Sequence, residues 1–386
     1  MLAYGFLSVV LVLYLAERGL SDTLIGVLLS LTLLGDTAIS LWITTTADRF
    51  GRRRMLILGA LLMVFAGTIF AFTNNVILLI IAAVIGVISP SGYEVGPFLA
   101  IEQAALTQTL SDERHTSAFA WYNLGGSFAT AIGALVGGAL PHFLRSVGAS
   151  PLSAYRAVVL AYAATGFVLA LMFTRLSNAV EASKTHTPVP HTHFGLHRSR
   201  GVMLKLSALF GLDAFAGGFV LQSIVAYWFH IRFGVETATL GGIFFGANLL
   251  AGLSALAAAS VARKIGLVNT MVFTHLPSNV LLVLVPLMPN LPLAIAVLLL
   301  RFSISQMDVP TRQSYTMTVV APDERSAAGG VTGIARTVGA ALSPALAGML
   351  ISNPVLMSAP FFMAGGLKVL YDLLLLRSFR PLRTAT

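Results

Sequence analysis

The chain has no cysteine among its 386 residues. That excludes a disulfide framework, thiol catalysis and any cysteine-based metal site. Charge is scarce too: 10% of residues are Asp, Glu, Lys or Arg, against 56% hydrophobic, whereas a soluble domain carries roughly 25% charged residues. Acidic residues are the scarcer sign, 15 against 24 basic, for a net charge of +9. Such a balance suggests nucleic acid at first sight, but the basic residues sit in short loops between apolar runs, as membrane orientation requires, so nucleic-acid binding is excluded. His-Glu-x-x-His is absent, as is the phosphate-binding Gly-x-x-x-x-Gly-Lys-Ser/Thr, so neither zinc proteolysis nor ATP-driven work within this chain is expected. No basic n-region precedes the first apolar run, so a cleavable signal peptide is not expected.

What is present is length in apolar runs. The mean hydropathy is +0.86. Runs over 2–16, 21–46, 55–73, 76–100, 117–140, 157–174, 205–229, 237–261, 268–288, 292–315, 326–351 and 358–376 each approach the roughly 20 residues that span a bilayer. They fall as six plus six around a linker at 177–204, which holds Lys184, Arg198, Arg200, two prolines and four histidines and has no apolar periodicity. The halves echo each other in order. Gly19-Leu20-Ser21-Asp22 recurs as Gly234-Val235-Glu236-Thr237, and Ala47-Asp48-Arg49-Phe50-Gly51 recurs as Ala262-Arg263-Lys264-Ile265-Gly266. Ser111-Asp112-Glu113-Arg114 returns as Pro322-Asp323-Glu324-Arg325. Paired halves are how many transporters are built, with a site between the repeats near the midplane. Most basic residues, including Arg49, Arg52, Arg53, Arg54, Arg263, Lys264 and Arg377, lie on the linker's side, against Arg18, Arg145, Arg156 and Arg232 opposite. Both termini are therefore expected in the cytoplasm. From Met1 the first span rises only roughly 24 Å, short of a roughly 30 Å hydrocarbon core. Either the chain starts late or its first helix tilts or thins the bilayer.

The turn Ala47-Asp48-Arg49-Phe50-Gly51-Arg52-Arg53-Arg54 resembles the signature loop between helices 2 and 3 of the major facilitator superfamily, with Thr44 where that family has Gly. Resemblance covers essentially the whole chain. It implies an all-α integral membrane fold of twelve transmembrane helices in two six-helix halves: residues 1–176, a cytosolic linker at 177–204, and residues 205–386. It also implies that Asp48, Arg49, Gly51, Arg52 and Arg53 form a gating loop latching against the start of helix 11. Gly133-Ala134-Leu135-Val136-Gly137-Gly138 is similar to the family's antiporter element, with Ala134 in place of Pro, which favours efflux over import. Arg301-Phe302-Ser303-Ile304-Ser305 resembles an Arg-x-x-x-Gly element that the family carries on helix 4.

Polar residues inside the spans are the functional candidates, because a charge at mid-bilayer costs at least roughly 2.5–3.5 kcal/mol without a partner or a watery cavity. Asp36, Glu94 and Asp213 are the proton-coupling candidates, Asp36 first because its repeat position is Ala251. Arg301, Arg336 and Asn123 are the substrate-cavity candidates, with helix-fixing pairing as the alternative for the arginines and an interfacial belt for the Trp121-Tyr122-Asn123 group. Lys368 and Asp372, one turn apart, are expected to pair with each other, and Asp308 with Arg312. His275 is the one histidine within a span. His186, His191, His193 and His197 lie in the linker without acidic or thiol partners and read as unspecialised linker rather than metal ligands. The expectation is a monomeric secondary transporter in the plasma (inner) membrane, surrounded by lipid. It moves a small organic solute with protons, needs no cofactor and performs no enzymatic reaction. An importer, a channel and an intramembrane enzyme are the competing readings.

Overall fold

The computed structural model describes residues 1–92, 96–109, 112–181, 198–321 and 324–379, the side chains of 107–120 and 325–327 excepted. Among them the chain is helical throughout: α1 (Leu2–Glu17), α2 (Asp22–Phe50), α3 (Arg52–Phe72), α4 (Val76–Ile85), α5 (Phe98–Thr109), α6 (Asp112–Ser146), α7 (Pro151–Thr174), α8 (Arg200–Gly218), α9 (Gln222–Phe233), α10 (Thr237–Ile265), α11 (Leu267–Leu284), α12 (Leu291–Phe302), α13 (Asp308–Val319), α14 (Arg325–Ile351) and α15 (Ala359–Phe379). Nine helices among the described residues are long and apolar enough to cross a membrane, α8 and α9 counting as one. Leu61, Phe72, Ile77, Phe167 and Leu342 stay exposed, as helices with a lipid-facing side require.

Starts and stops follow local chemistry. Ser21, Asn75 and Asn290 cap helices by accepting from backbone N–H groups of the first turn at 2.8–3.3 Å. The repeat is written in the backbone as well. Gly19 and its counterpart Gly234 have φ of 81° and 67°, and Gly51 and its counterpart Gly266 have φ of 102° and 86°. These values lie in the left-handed region that a Cβ disfavours. Between each pair of glycines runs a helix of 29 residues, α2 in one repeat and α10 in the other.

Three runs expected to be single spans are each two helices. The run at 76–100 breaks after Ile85, the run at 205–229 breaks at Phe219–Leu221, and the run at 292–315 breaks between Phe302 and Asp308. A broken helix leaves backbone carbonyls without intrahelical donors, tolerable in a membrane only where the protein supplies replacements. Here the Tyr162 hydroxyl donates to the Val87 carbonyl, and Thr130 Oγ1 donates to the Gly92 carbonyl at 3.4 Å.

The chain forms two compact units. One comprises Met1–Thr187 with Leu221–Phe245, the other Pro188–Val220 with Gly246–Thr386. In the first unit α1 is almost wholly buried, from Ala3 to Leu15, against α6, α7 and α9. Glycines permit that approach: a Cβ on Gly5 would lie 2.9 Å from Gly133 Cα, and one on Gly137 would lie 2.6 Å from the Phe6 carbonyl oxygen. The glycines of the Gly133–Gly138 element thus pack helices closely, as small residues do in membranes. In the second unit α8 lies along α14, and α11 and α15 pack together. Its apolar core holds Met203, Phe210, Met271, Tyr315, Tyr371 and Phe379.

Candidate functional site

Five helices of the second unit aim charged or polar side chains at one point. α8 supplies Asp213, five residues before its end at Gly218, after which the helix breaks. α13 supplies Asp308 and Arg312, α11 His275 and Asn279, and α15 Lys368 and Asp372. Each of these pairs is four residues apart, the spacing that puts both side chains on one face. α14 contributes Arg336.

Asp213 is the hub. Lys368 Nζ donates to its Oδ1 at 2.6 Å, and Arg312 Nη1 donates to its Oδ2 at 2.9 Å. Arg336 Nη1 lies 3.6 Å from Oδ2, and His275 Nε2 lies 3.8 Å from Oδ1. Arg312 also reaches Asp308 at 3.4 Å and lies over the Phe210 ring at 5.4 Å. Beside the hub, His275 Nδ1 is 2.9 Å from Asp372 Oδ1, and Asn279 Nδ2 donates to Asp372 Oδ2 at 2.9 Å. The side chains of Asp213, Arg312, Asp308, His275 and Asp372 are all at most 6% exposed, and that of Arg336 is 37% exposed. In so dry a setting each ion is tolerable only because opposite charge and hydrogen bonds surround it. A proton on Asp213 would weaken its hold on these cations, and a second anion would compete with Asp213 for them.

The expected Lys368–Asp372 pair does not form. Both side chains face inward from α15, but Lys368 goes to Asp213, while Asp372 takes His275 and Asn279. A carboxylate on another helix at 2.6 Å wins over a neighbour on the same helix. Asp308 and Arg312 do pair, as part of this larger network. Sequence reasoning placed Asp213 and Arg336 among the candidates, but assigned Arg312 and Lys368 to structure and gave His275 no role. The signal for His275 was its isolation as the one histidine in an apolar run; Asn279 carried none.

In the first unit, Asp36 is buried on α2. Its carboxylate faces Gly96, where a Cβ would come within 3.0 Å of Oδ1 and 3.7 Å of Tyr4 Oη. The Tyr4 ring meets Tyr162 edge-on at 5.9 Å. Glu94 lies outside the described residues, as do the linker histidines 186, 191, 193 and 197. Arg301 ends α12 with its guanidinium over the Phe302 ring at 4.9 Å, and Asn123 is exposed on α6.

The basic loop is tied down locally. Arg52 Nε donates to Asp48 at 2.8 Å, and the buried Arg52 guanidinium reaches the Ala104 and Val180 carbonyls at 3.4 Å. Glu181, unforeseen from sequence, accepts from the backbone N–H groups of Arg52 and Arg53 at 2.7 and 3.4 Å. It thereby caps α3, where a carboxylate meets the positive end of the helix dipole. Arg53 Nη1 donates to the Leu176 carbonyl at 3.2 Å, and Arg49 lies over Phe50. Glu324 holds the entry to α8, accepting from the N–H groups of Arg198 and Ser199 just before the helix at 2.8 and 3.0 Å.

Comparison with known proteins agrees with this architecture. Residues 1–344 match the family model described as Major Facilitator Superfamily. An uncharacterized membrane protein of Saccharomyces cerevisiae is 31% identical over 405 residues, covering 97% of this chain and 90% of that protein. Among solved structures, a bacterial homolog of the human lysosomal transporter Spinster superposes with a TM-score of 0.72 at 17% identity, over 97% of this chain and 91% of that one. A nucleoside transporter gives a TM-score of 0.74 at 12% identity (98% and 96% covered), and a D-xylose-proton symporter gives 0.71 at 15% (97% and 94% covered). At these identities the structural likenesses are likenesses of fold.

Proposed function

The chain belongs to the major facilitator superfamily, and on that premise we propose that it moves a small organic solute by alternating access, coupled to protons and directed outward. It is an integral membrane transporter and not an enzyme. In this reading twelve crossings form two halves, 1–176 and 205–386, which rock about a central cavity while 177–204 joins them in the cytoplasm. Both termini face the cytoplasm of a plasma membrane, and the protein acts as a monomer.

The observation that carries proton coupling is the Asp213 hub. Three cations and a proton compete for the same two carboxylate oxygens. A rearrangement of α8 against α13, α14 or α15 changes which competitor wins, so a proton is taken up in one state and expelled in the other. The break after Gly218 gives α8 a place to move. Asp36, buried beside Tyr4 and the Gly96 turn, is the second coupling group, and the Asp48–Arg53 loop is the gate. The outward direction rests on the Gly133–Gly138 resemblance.

The test uses purified protein in lipid vesicles with an internal pH dye and an imposed pH gradient. A panel of carboxylates, sugars, nucleosides and hydrophobic amines is added in turn. A transported solute is expected to give saturable flux with an accompanying pH change. Asp36→Asn, and the charge-balanced pair Asp213→Asn with Lys368→Met, are expected to keep downhill exchange and lose gradient-driven accumulation. Saturable flux indifferent to the gradient would make the protein a uniporter, and flux linear in concentration would make it a channel.

A further inference from the structure

The proposed transport leaves the substrate's chemical class open, and one side chain of the hub narrows it. Asp213 has two carboxylate oxygens, and both are taken at short range, Oδ1 by Lys368 at 2.6 Å and Oδ2 by Arg312 at 2.9 Å. Arg336 stands third in line at 3.6 Å. Its Nη1 is buried, and it makes no hydrogen bond among the described residues. The other carboxylates are engaged elsewhere: Asp308 with Arg312, and Asp372 with His275 and Asn279. Asp213 is thus approached by three cations (Arg312, Arg336 and Lys368), and the nearer two fill both of its oxygens. Arg336 is the cation left over at these oxygens, and its planar fork of donors is largely unmet.

Arg336 is also the open edge of the cluster. Its side chain is 37% exposed, against 6% for Arg312 and 10% for Lys368. Among the described residues, the ground beside it on α14 is vacant. Gly333, one turn earlier on the same face, has room for a Cβ with no described atom within 4 Å, and Gly329 has one at 3.9 Å. Three residues beyond Arg336, Gly339 is by contrast packed so tightly on Gly211 that a Cβ there would strike its carbonyl oxygen. Tight packing thus accounts for Gly339 and not for Gly329 or Gly333. A guanidinium in a membrane helix is costly unless it pairs or faces water. Its fork matches a carboxylate or a phosphate with two parallel hydrogen bonds.

We propose that Arg336 is the recognition residue for an anionic substrate, a carboxylate or phosphate that docks over Gly333. The proposal rests on the transport reading for its occupant. A cation docked there would meet the positive charge of the guanidinium, while an anion supplies the acceptors that Asp213, with both oxygens already filled, does not.

The absence of native cysteine makes a direct test clean. Gly333→Cys creates a single thiol one turn from the guanidinium. In full-length purified protein, its modification rates by a sulfonate-bearing and a trimethylammonium-bearing methanethiosulfonate are each divided by the rate with free 2-mercaptoethanol. The normalised preference for the anionic reagent is expected to be about tenfold or more, as for an accessible cleft of positive potential. Adding Arg336→Gln should bring it near one, while Arg336→Lys should retain most of it. Benzoate and inorganic phosphate are then tried as protectants. Slowing by benzoate assigns a carboxylate, and slowing by phosphate assigns a phosphate. A ratio near one in the parent, an unreactive thiol, protection by neither anion, or protection that survives Arg336→Gln each overturns the proposal. None of these measurements requires transport. Proton-linked flux persisting beside a ratio near one would reject the anion and leave the transporter standing.

Discussion

Removing the Asp213 charge is the most informative single perturbation, because its neighbours make a ranked series. Asp213→Asn keeps the size of the side chain but removes the carboxylate that three cations share, leaving Arg312 with Asp308 alone. Two of these, Arg312 and Lys368, are at most 10% exposed and sit at 2.9 and 2.6 Å. Breaking a buried ion pair by removing one partner costs about 3–5 kcal/mol, and Asp213→Asn breaks two such pairs at once, so it should fall at or above the top of that range. Lys368→Met removes one partner and leaves Arg312 and Arg336 on Asp213, which predicts a smaller loss. Arg336→Gln is predicted to be mildest, under about 1 kcal/mol, because that side chain is 37% exposed and held at 3.6 Å, the regime of screened pairs. For a folding unit of this size, 3–5 kcal/mol corresponds to a midpoint shift of roughly 6–20 °C. Thermal unfolding in detergent, followed by tryptophan fluorescence or by monodisperse fraction after heating, reads the order directly. Combining Asp213→Asn with Lys368→Met should recover part of the loss, since one stranded cation is gone. The reasoning fails if Asp213→Asn melts within about 2–4 °C of the parent, or if Arg336→Gln proves the most damaging of the three.

The cap on α3 yields a second expectation: Glu181→Gln should cost about 0.5–2 kcal/mol by weakening acceptance from Arg52 and Arg53 N–H. Gly51→Ala should add about 1–2 kcal/mol from the φ of 102°, both seen as lowered melting midpoints with an unchanged fold. Topology is checked with single cysteines in this cysteine-free chain: exposed Ser177 and Asn353, each replaced by Cys, are expected to react with an impermeant maleimide only from the cytoplasm and only from outside, respectively, and the reverse pattern would invert the assigned orientation.

Much of this protein is determined by its sequence alone. Apolar runs of about 20 residues cannot be solvated in water at such density. Four arginines in one short turn cannot be buried in lipid, and positive-φ turns demand Gly19, Gly51, Gly234 and Gly266 wherever the chain folds. Membrane character, internal repeat and family are therefore local facts, readable residue by residue. Interaction partners are not local. Lys368 has a carboxylate four residues away and still binds Asp213, because the choice depends on how close α8 comes to α15, which no spacing within α15 encodes. The same holds for the helix breaks. The run from Val76 to Ala100 reads as one span; it breaks after Ile85 where the Tyr162 hydroxyl, from a distant helix, meets the Val87 carbonyl. His275 stayed a solitary polar residue until α11 and α15 packed and put Asp372 at 2.9 Å. A lone charge in a membrane helix thus announces that a partner exists, and only the tertiary fold decides which one, because that energy depends on angstrom separations between helices far apart in the chain.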